Sequence, residues 1–272
     1  MSVRIVVDST SDIPPERAKR LGIIVVPEIV LFGDEAFLDG VDLDGPAFYQ
    51  KLATSRVMPT TSAPSPAQFE ETYRQVIRDG ATGVLSLHIA STFSATVSAA
   101  SGAAELVTRE TGVPIEVIDT GTVSGGFGLP AELVAQAARD GGSLADLKRR
   151  AVDLCQRAQV YAVLDTLEFL QRGGRIGRAS ALMGTLLNVK PLIAVREGQV
   201  VPVEKVRTRA KAQERLGELV ARLGALEAAA VVESEAGAGE GLRAMVARHF
   251  AGPIETFALG PVVGTHAGPG AA

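Results

Sequence analysis

The sequence predicts an α/β protein of two α/β domains, the first with a mainly parallel sheet flanked by helices and the second with a mixed sheet. Three observations predict it. Short apolar runs alternate with helix-period segments through about residue 140, the pattern of a parallel sheet covered on both faces. From Tyr161 the order changes, and two apolar runs flank Glu197-Gly198 as in a β-hairpin. The chain has 272 residues of which 46% are hydrophobic, enough material for two modest packed cores. The change of order divides the chain into an N-terminal α/β domain over 1–157 and a C-terminal mixed α/β domain over 158–272.

Val3-Arg4-Ile5-Val6-Val7 reads as a buried strand that ends in Asp8-Ser9-Thr10-Ser11-Asp12, before a helix start at Pro14-Pro15-Glu16. Ligands of open α/β sheets sit beyond the carboxyl ends of strands, where this polar loop must lie; a plain capping role serves it equally well. Ile23 to Val26, Pro27 and Glu28 to Phe32 read as one strand broken by proline and resumed, and Asp34 to Asp44 as polar turn. Pro59-Thr60-Thr61-Ser62-Ala63-Pro64-Ser65 comes next. Proline fixes its own φ and restricts the residue before it, so this stretch is expected to be a stiff loop holding three adjacent hydroxyls. Such a loop can grip an oxyanion; the plainer alternative is that Ser65 caps the helix from Pro66 to Arg78 and the other hydroxyls are solvated.

Gly83 to His88 is a further strand. After Ile89 to Thr96, the apolar residues Val97, Ala100, Ala104 and Val107 keep helical spacing, which makes Ser94 a cap or first-turn residue. A carboxylate or phosphate can be received by its hydroxyl and the free N–H groups of that turn, unless the serine serves the helix alone. Pro114 to Ile118 is a strand, Ser124-Gly125-Gly126-Phe127-Gly128 opens a helix, and Ser143 to Arg157 is another.

In the C-terminal part, Tyr161 to Leu164 is a strand and Leu167 to Leu170 a short helix. Gln171-Arg172-Gly173-Gly174-Arg175-Ile176-Gly177-Arg178 follows, with glycines that expose backbone N–H groups and arginines that supply anion-binding forks. It suits a phosphate or carboxylate, or it is a solvated basic turn; it has neither the Walker ending nor the glycine spacing of a dinucleotide fingerprint. Val189 to Val195 and Gln199 to Val203 make the hairpin, and helix, strand, helix and strand follow over Thr208 to Leu223, Ala228 to Glu233, Gly241 to Phe250 and Ile254 to Leu259. The tail, Gly260 to Gly270, sets His266 in a frame of glycine, proline and Val262-Val263 that a disordered end has no use for. His88 and His249 read as structural, on a strand end and a helix face.

A net charge of -4, a pI near 5.5 and the absence of a dense Lys/Arg block speak against nucleic acid or an anionic membrane surface as the main partner. The single cysteine, Cys155, cannot form an internal disulfide, and the N-terminus shows no signal-peptide pattern, so a cytoplasmic location is expected. No apolar run approaches the roughly 18 residues of a membrane span. Three separated histidines and one cysteine lack ligand spacing, so neither a metal nor a cofactor is expected.

Asp8-Ser9-Thr10, Pro59 to Ser65, Ser91 to Thr96, Leu167 to Ile176, Lys190-Pro191 and Gly264 to Gly270 together resemble the DegV family of bacterial fatty-acid-binding proteins, over nearly the whole chain. The specific part is the order of a Thr-Ser-x-Pro-Ser turn, a Gly-Gly-Arg-Ile loop and a Gly-Thr-His-x-Gly-Pro-Gly tail. The resemblance implies two α/β domains with one long-chain fatty acid in a cleft between them. It also implies a non-catalytic carrier subunit that presents the carboxylate to a separate ATP-dependent fatty-acid kinase, which forms the acyl phosphate. Carried over to this sequence, Thr61, with Ser62 beside it, and Ser94 match the carboxylate-binding positions, and Arg175 and His266 match residues in the head-group or phosphoryl-transfer vicinity. Phe93 and Ala95 depart from the family's usual leucine and glycine, which implies different packing near the head group. The family's tail runs on past this point, so the end at Ala272 is expected to be a trimmed one. Two other readings compete: a phosphotransferase or hydrolase using His266 with Asp8 or Arg175 on a polar phosphorylated substrate, and an interaction module with no deep cavity.

Overall fold

The computed structural model describes residues 3–183 and 189–272. The first part of the chain runs β1 (Val3–Asp8), α1 (Pro15–Leu21), β2 (Ile23–Val26), β3 (Ile29–Phe32), β4 (Glu35–Leu38), α2 (Gly45–Thr54), β5 (Thr60–Ser62), α3 (Pro66–Arg78), β6 (Gly83–His88), α4 (Thr96–Thr111), β7 (Ile115–Asp119), α5 (Gly125–Arg139) and α6 (Leu144–Arg157). It continues as β8 (Val160–Val163), α7 (Glu168–Arg172), β9 (Lys190–Arg196), β10 (Gln199–Val206), α8 (Arg209–Ala221), β11 (Ala229–Glu233), α9 (Glu240–Val246), β12 (Ile254–Ala258) and α10 (Pro261–Ala267).

A four-stranded parallel sheet in the order β2-β1-β6-β7 forms the centre of the N-terminal half. Alternation along its strands decides which helices cover each face. Ile5, Val7, Leu85 and Leu87 pack with Phe127, Val134, Leu147 and Leu154 of α5 and α6, whereas Val6 and Val84 pack with Phe69, Tyr73, Ala103 and Val107 of α3 and α4. The helix starts follow local chemistry. Ser65 and Gln68 form a complete capping box on α3, with Pro66 at the first helical position, and Ser143 caps α6. His88 is structural, as expected: fully buried, it contacts Asp8 Oδ2 at 3.0 Å through Nδ1 and Ser86 Oγ at 2.7 Å through Nε2.

The C-terminal half carries strands of both senses, divided between an antiparallel sheet, β10-β9-β8, and a parallel pair, β11-β12. Residues 271 and 272 join the two: Ala272 exchanges both backbone hydrogen bonds with Val163, and the Ala271 carbonyl accepts from Ser234 N–H. Helix α10 turns back to the other half of the molecule, where Val262 joins Val30, Phe32 and Phe48 in one apolar cluster.

Five local expectations are corrected by the structure. Thr60–Ser62 is a short strand rather than a loop; it pairs antiparallel with β3, placing Thr61 opposite Val30, because the flanking prolines favour the extended backbone that an edge strand also uses. The two runs on either side of Pro27 are not one resumed strand. β2 belongs to the parallel sheet and β3 to a separate antiparallel sheet, β4-β3-β5, whose β4 occupies the stretch expected as turn. Ser94 lies just outside α4, which begins at Thr96 and is preceded by Ala95 without a side-chain cap. His249 is in an exposed turn after α9, not on a helix face.

Candidate functional site

One cavity of about 1150 Å³ is lined by residues of both halves of the chain. Most of its wall is apolar, with Leu129, Leu133, Val160, Leu164, Ile193 and Val232 among the contributors. Its lining also includes the exposed Ser62 and Ala95 and the exposed ion pair Arg157–Glu227. All five residues singled out from the sequence, Thr61, Ser62, Ser94, Arg175 and His266, line it. They come from β5, the loop before α4, the loop after α7 and α10, segments up to 205 positions apart.

The strand β5 aims Thr61 at α10, where Thr61 Oγ1 lies 3.0 Å from His266 Nε2. His266 is held there because α10 packs closely on α2: a Cβ on Gly264 would stand 2.7 Å from Tyr49 Oη, so only glycine permits the approach. Burial, and then the charge of Arg175, push the His266 imidazole down to about 4, so the ring is neutral at neutral pH. Its Nδ1 is buried without a hydrogen-bond partner among the described residues. If Nε2 carries the proton and donates to Thr61 Oγ1, the Thr61 hydroxyl proton is free to donate into the cavity.

Ser94 Oγ lies 2.8 Å from Thr96 Oγ1, and Thr96 Oγ1 lies 2.6 Å from Glu28 Oε1. Glu28 also lines the cavity, and it is buried. Its carboxyl is raised well above the usual range, first by burial and then by the charge of Asp8. Arg175 donates from Nε to the Phe93 carbonyl at 3.1 Å and from Nη1 to the Gly173 carbonyl at 2.6 Å, which ties the basic loop to the segment carrying Ser94. Ser62 points differently: it is exposed, and its hydroxyl donates to the Ala63 carbonyl at 3.3 Å, as alternation along a strand requires.

Glu28 and Thr96 are the site residues that the sequence reading missed. A glutamate directly after Pro27 and a threonine at a helix start carry no local signal; only the fold brings Glu28, between β2 and β3, against the first residue of α4. The Asp8 loop follows the capping alternative: Asp8 caps a short 3-10 turn over Ser9–Ser11, its side chain accepting from the Thr10 N–H. Asp8 is fully buried and accepts from Thr10, His88 and the Ile89 N–H, so its carboxylate is committed inside the protein and only Thr10 of that loop reaches the cavity. Among the described residues, no group of histidine, cysteine, aspartate and glutamate is placed to hold a metal ion, and no helix is long and apolar enough to cross a membrane.

The chain as a whole has known relatives. The sequence model described as an uncharacterised protein, DegV family, matches residues 2–272. The chain belongs to the DegV family. A DegV domain-containing protein of Deinococcus radiodurans is 39% identical over 100% of this chain and 96% of its own, and one of Streptomyces coelicolor is 38% identical over 98% and 95%. Among solved structures, a DegV family protein from Thermus thermophilus, described for its fatty acid binding, is 33% identical with a TM-score of 0.88, covering 100% of this DegV chain and 97% of its own. DegV of Bacillus subtilis, described as a fatty acid binding protein, is 30% identical with a TM-score of 0.85 over 100% and 97%.

Proposed function

We propose that this DegV chain binds one long-chain fatty acid in the cavity between its two domains, which meet near residues 157 and 158. The carboxylate sits at Thr61 and Ser94, and the acyl chain follows the apolar wall. The observation that carries this reading is that the hydroxyl-bearing residues Thr61 and Ser94 line one largely apolar cavity of about 1150 Å³. A buried carboxylate is costly unless it is hydrogen-bonded, and the two hydroxyls answer that need. Burying each methylene adds about 0.8 kcal/mol, so about ten methylenes supply the roughly 8 kcal/mol of micromolar affinity. The fatty acids bound by relatives of 30% identity and more support the same reading.

In this reading the protein is a cytoplasmic carrier without catalytic residues of its own, and it presents the carboxylate to a partner ATP-dependent fatty-acid kinase for acyl-phosphate formation. Arg175 and His266 then serve the arriving phosphoryl group, whose transfer depends on positioning and charge neutralisation. Of the competing hydrolase or phosphotransferase reading, the pairing of His266 with Asp8 is disfavoured because Asp8 is fully buried and bonded to other groups; its pairing of His266 with Arg175 predicts turnover without a kinase partner. Mass spectrometry of an organic extract of the purified protein tests the first part: a stoichiometric long-chain fatty acid is expected, and a nucleotide or sugar phosphate with no lipid would refute it. For the second part, Arg175→Ala is expected to keep fatty-acid binding while losing acyl-phosphate formation with kinase and ATP. An equal loss of both would place Arg175 in the carboxylate site.

A further inference from the structure

Ser94, Thr96 and Glu28 form a chain of three oxygens in which each hydroxyl has one proton to give. If Glu28 is ionised, Thr96 must donate to it, at 2.6 Å, and Ser94 must then donate to Thr96, at 2.8 Å. Ser94 has no proton left in that arrangement and meets an anionic head group with lone pairs only. For Ser94 to donate outward, Thr96 must donate to Ser94, and Glu28 must then donate to Thr96. An ionised carboxylate accepts only; a protonated one has one O–H to donate. The Thr96 N–H, 3.4 Å from Ser94 Oγ, is a further donor to Ser94 and leaves this count unchanged.

We propose that Glu28 is a positioning residue that sets the polarity of this relay, so that a carboxylate binds at Ser94 only when Glu28 carries a proton, and binding above the titration of Glu28 takes that proton up from solvent. The inference rests on the carboxylate site proposed above. The uptake forms one O–H bond at the Glu28 carboxylate, with the buffer acid giving up the proton; along the relay itself no covalent bond changes, and Glu28 donates a hydrogen bond to Thr96 Oγ1, Thr96 to Ser94 Oγ, and Ser94 to the ligand oxygen. The surroundings of Glu28 favour its neutral form. It is buried, and Asp8 and Asp39 face it with like charge, against which act the Thr96 hydrogen bond and the positive charge of Arg175. His88, bonded to Asp8, and His266, bonded to Thr61, are the titratable rings near this cluster.

The test uses decanoate, a soluble probe whose carboxylate is ionised throughout, titrated calorimetrically in two buffers of different ionisation enthalpy. The wild-type protein is expected to take up close to one proton at about pH 9.5 and almost none at about pH 7, with affinity weakening about tenfold per pH unit above the Glu28 titration. Glu28→Gln, whose amide donates to Thr96 at every pH, is expected to bind with flat affinity and no uptake. Thr96→Val, which frees Ser94 from the relay, serves as an independent variant with the same expected flatness. Decanoate binding with no proton uptake and a flat pH profile in the wild type would overturn the relay while leaving the fatty-acid site intact. Uptake that persists in Glu28→Gln would overturn it too, by assigning the proton to His266 or to the ligand. No binding of decanoate or of longer acids at any pH would instead remove the carboxylate reading, and this inference with it.

Discussion

Two adjacent glycines in the basic loop are expected to fail for opposite reasons, and the contrast tests how the loop holds the head-group site. Gly173 has φ -75 and ψ -6, a backbone that alanine adopts freely, but a Cβ there would stand 2.1 Å from His266 Nδ1 and 2.8 Å from Cε1. Since carbon contacts settle near roughly 3.5 Å, the ring would have to recede by more than about 1 Å. The 3.0 Å contact between Thr61 Oγ1 and His266 Nε2 would be lost with that movement. Overpacking of this size costs about 1–3 kcal/mol, or a fall in Tm of about 2–4 °C for each kcal/mol. Gly174 is the reverse case, with φ +71 and no atom within 4 Å of an added Cβ. Gly174→Ala is therefore expected to cost only the left-handed strain of about 1–2 kcal/mol and to leave His266 in place. Thermal unfolding and titration with a fluorescent fatty acid are the assays. Gly173→Ala should weaken binding about tenfold, the worth of one lost charge-assisted hydrogen bond, and Gly174→Ala should bind as wild type. Unchanged binding in Gly173→Ala, or an equal loss in both, would refute the claim that the loop acts by seating His266.

Thr61→Val and Ser94→Ala should each weaken fatty-acid binding about tenfold, but only Thr61→Val should also lose about 1–3 kcal/mol of stability, because it leaves both nitrogens of His266 unpaired; equal unfolding midpoints for the two variants would refute this. The His266 ring, pushed down to about 4 from 6.5, gives a defined pH dependence. The unfolded chain binds the proton first, so this stability is fully present above about pH 6.5 and is lost as the pH falls to about 4, up to about 3 kcal/mol. Urea unfolding of wild type and His266→Asn across that window should differ in slope, and parallel curves would contradict it. Ala162 lines the apolar wall beside Ile193. Ala162→Phe should cut short the roughly fourfold gain in affinity that each added methylene provides, measured over acids of increasing length.

The N-terminal fold was legible because its signals are local. An apolar run such as Val3 to Val7 that is buried on both faces needs no partner to be recognised, and Ser65-Pro66-x-Gln68 announces a helix start within four positions. Helix α2 was missed, since Gly45-Pro46 opens it and only Asp44, which accepts from the Ala47 N–H, marks its cap. The tail's glycines and prolines predict constraint but not a helix. α10 has seven residues, with glycine before it and within it, too few for helix propensity to decide; its packing against α2 and β3 decides instead.

The head-group residues were legible as residue types and illegible as a network, for a reason rooted in the carboxylates beneath them. Asp8, Asp12, Glu28 and Asp39 are all buried, and each is held by donors from other segments. Asp12 accepts from Ser124 and from the Gly260 N–H, while Asp39 accepts from Ser9 and from the Val262 backbone. Gly260 and Val262 begin α10, so these bonds fix the start of the helix that carries His266. Burial raises the carboxyls of Asp12 and Glu28 and moves Asp39 up to about 6, a cost that persists only where the surrounding donors are fixed. The hydroxyls of Ser9 and Thr10, which the sequence offers as a grip for a ligand, are thus spent on the protein's own acids. Thr61 and Ser94 differ because their hydroxyl partners, His266 and Thr96, can each accept or donate: Thr61 has a proton for the cavity when His266 Nε2 donates to it, and Ser94 has one when Thr96 donates to it, which the relay ties to a protonated Glu28. Whether a hydroxyl serves the ligand or the fold is settled by what its partner is able to donate, and that is a property of contacts across as many as 205 positions rather than of any local motif.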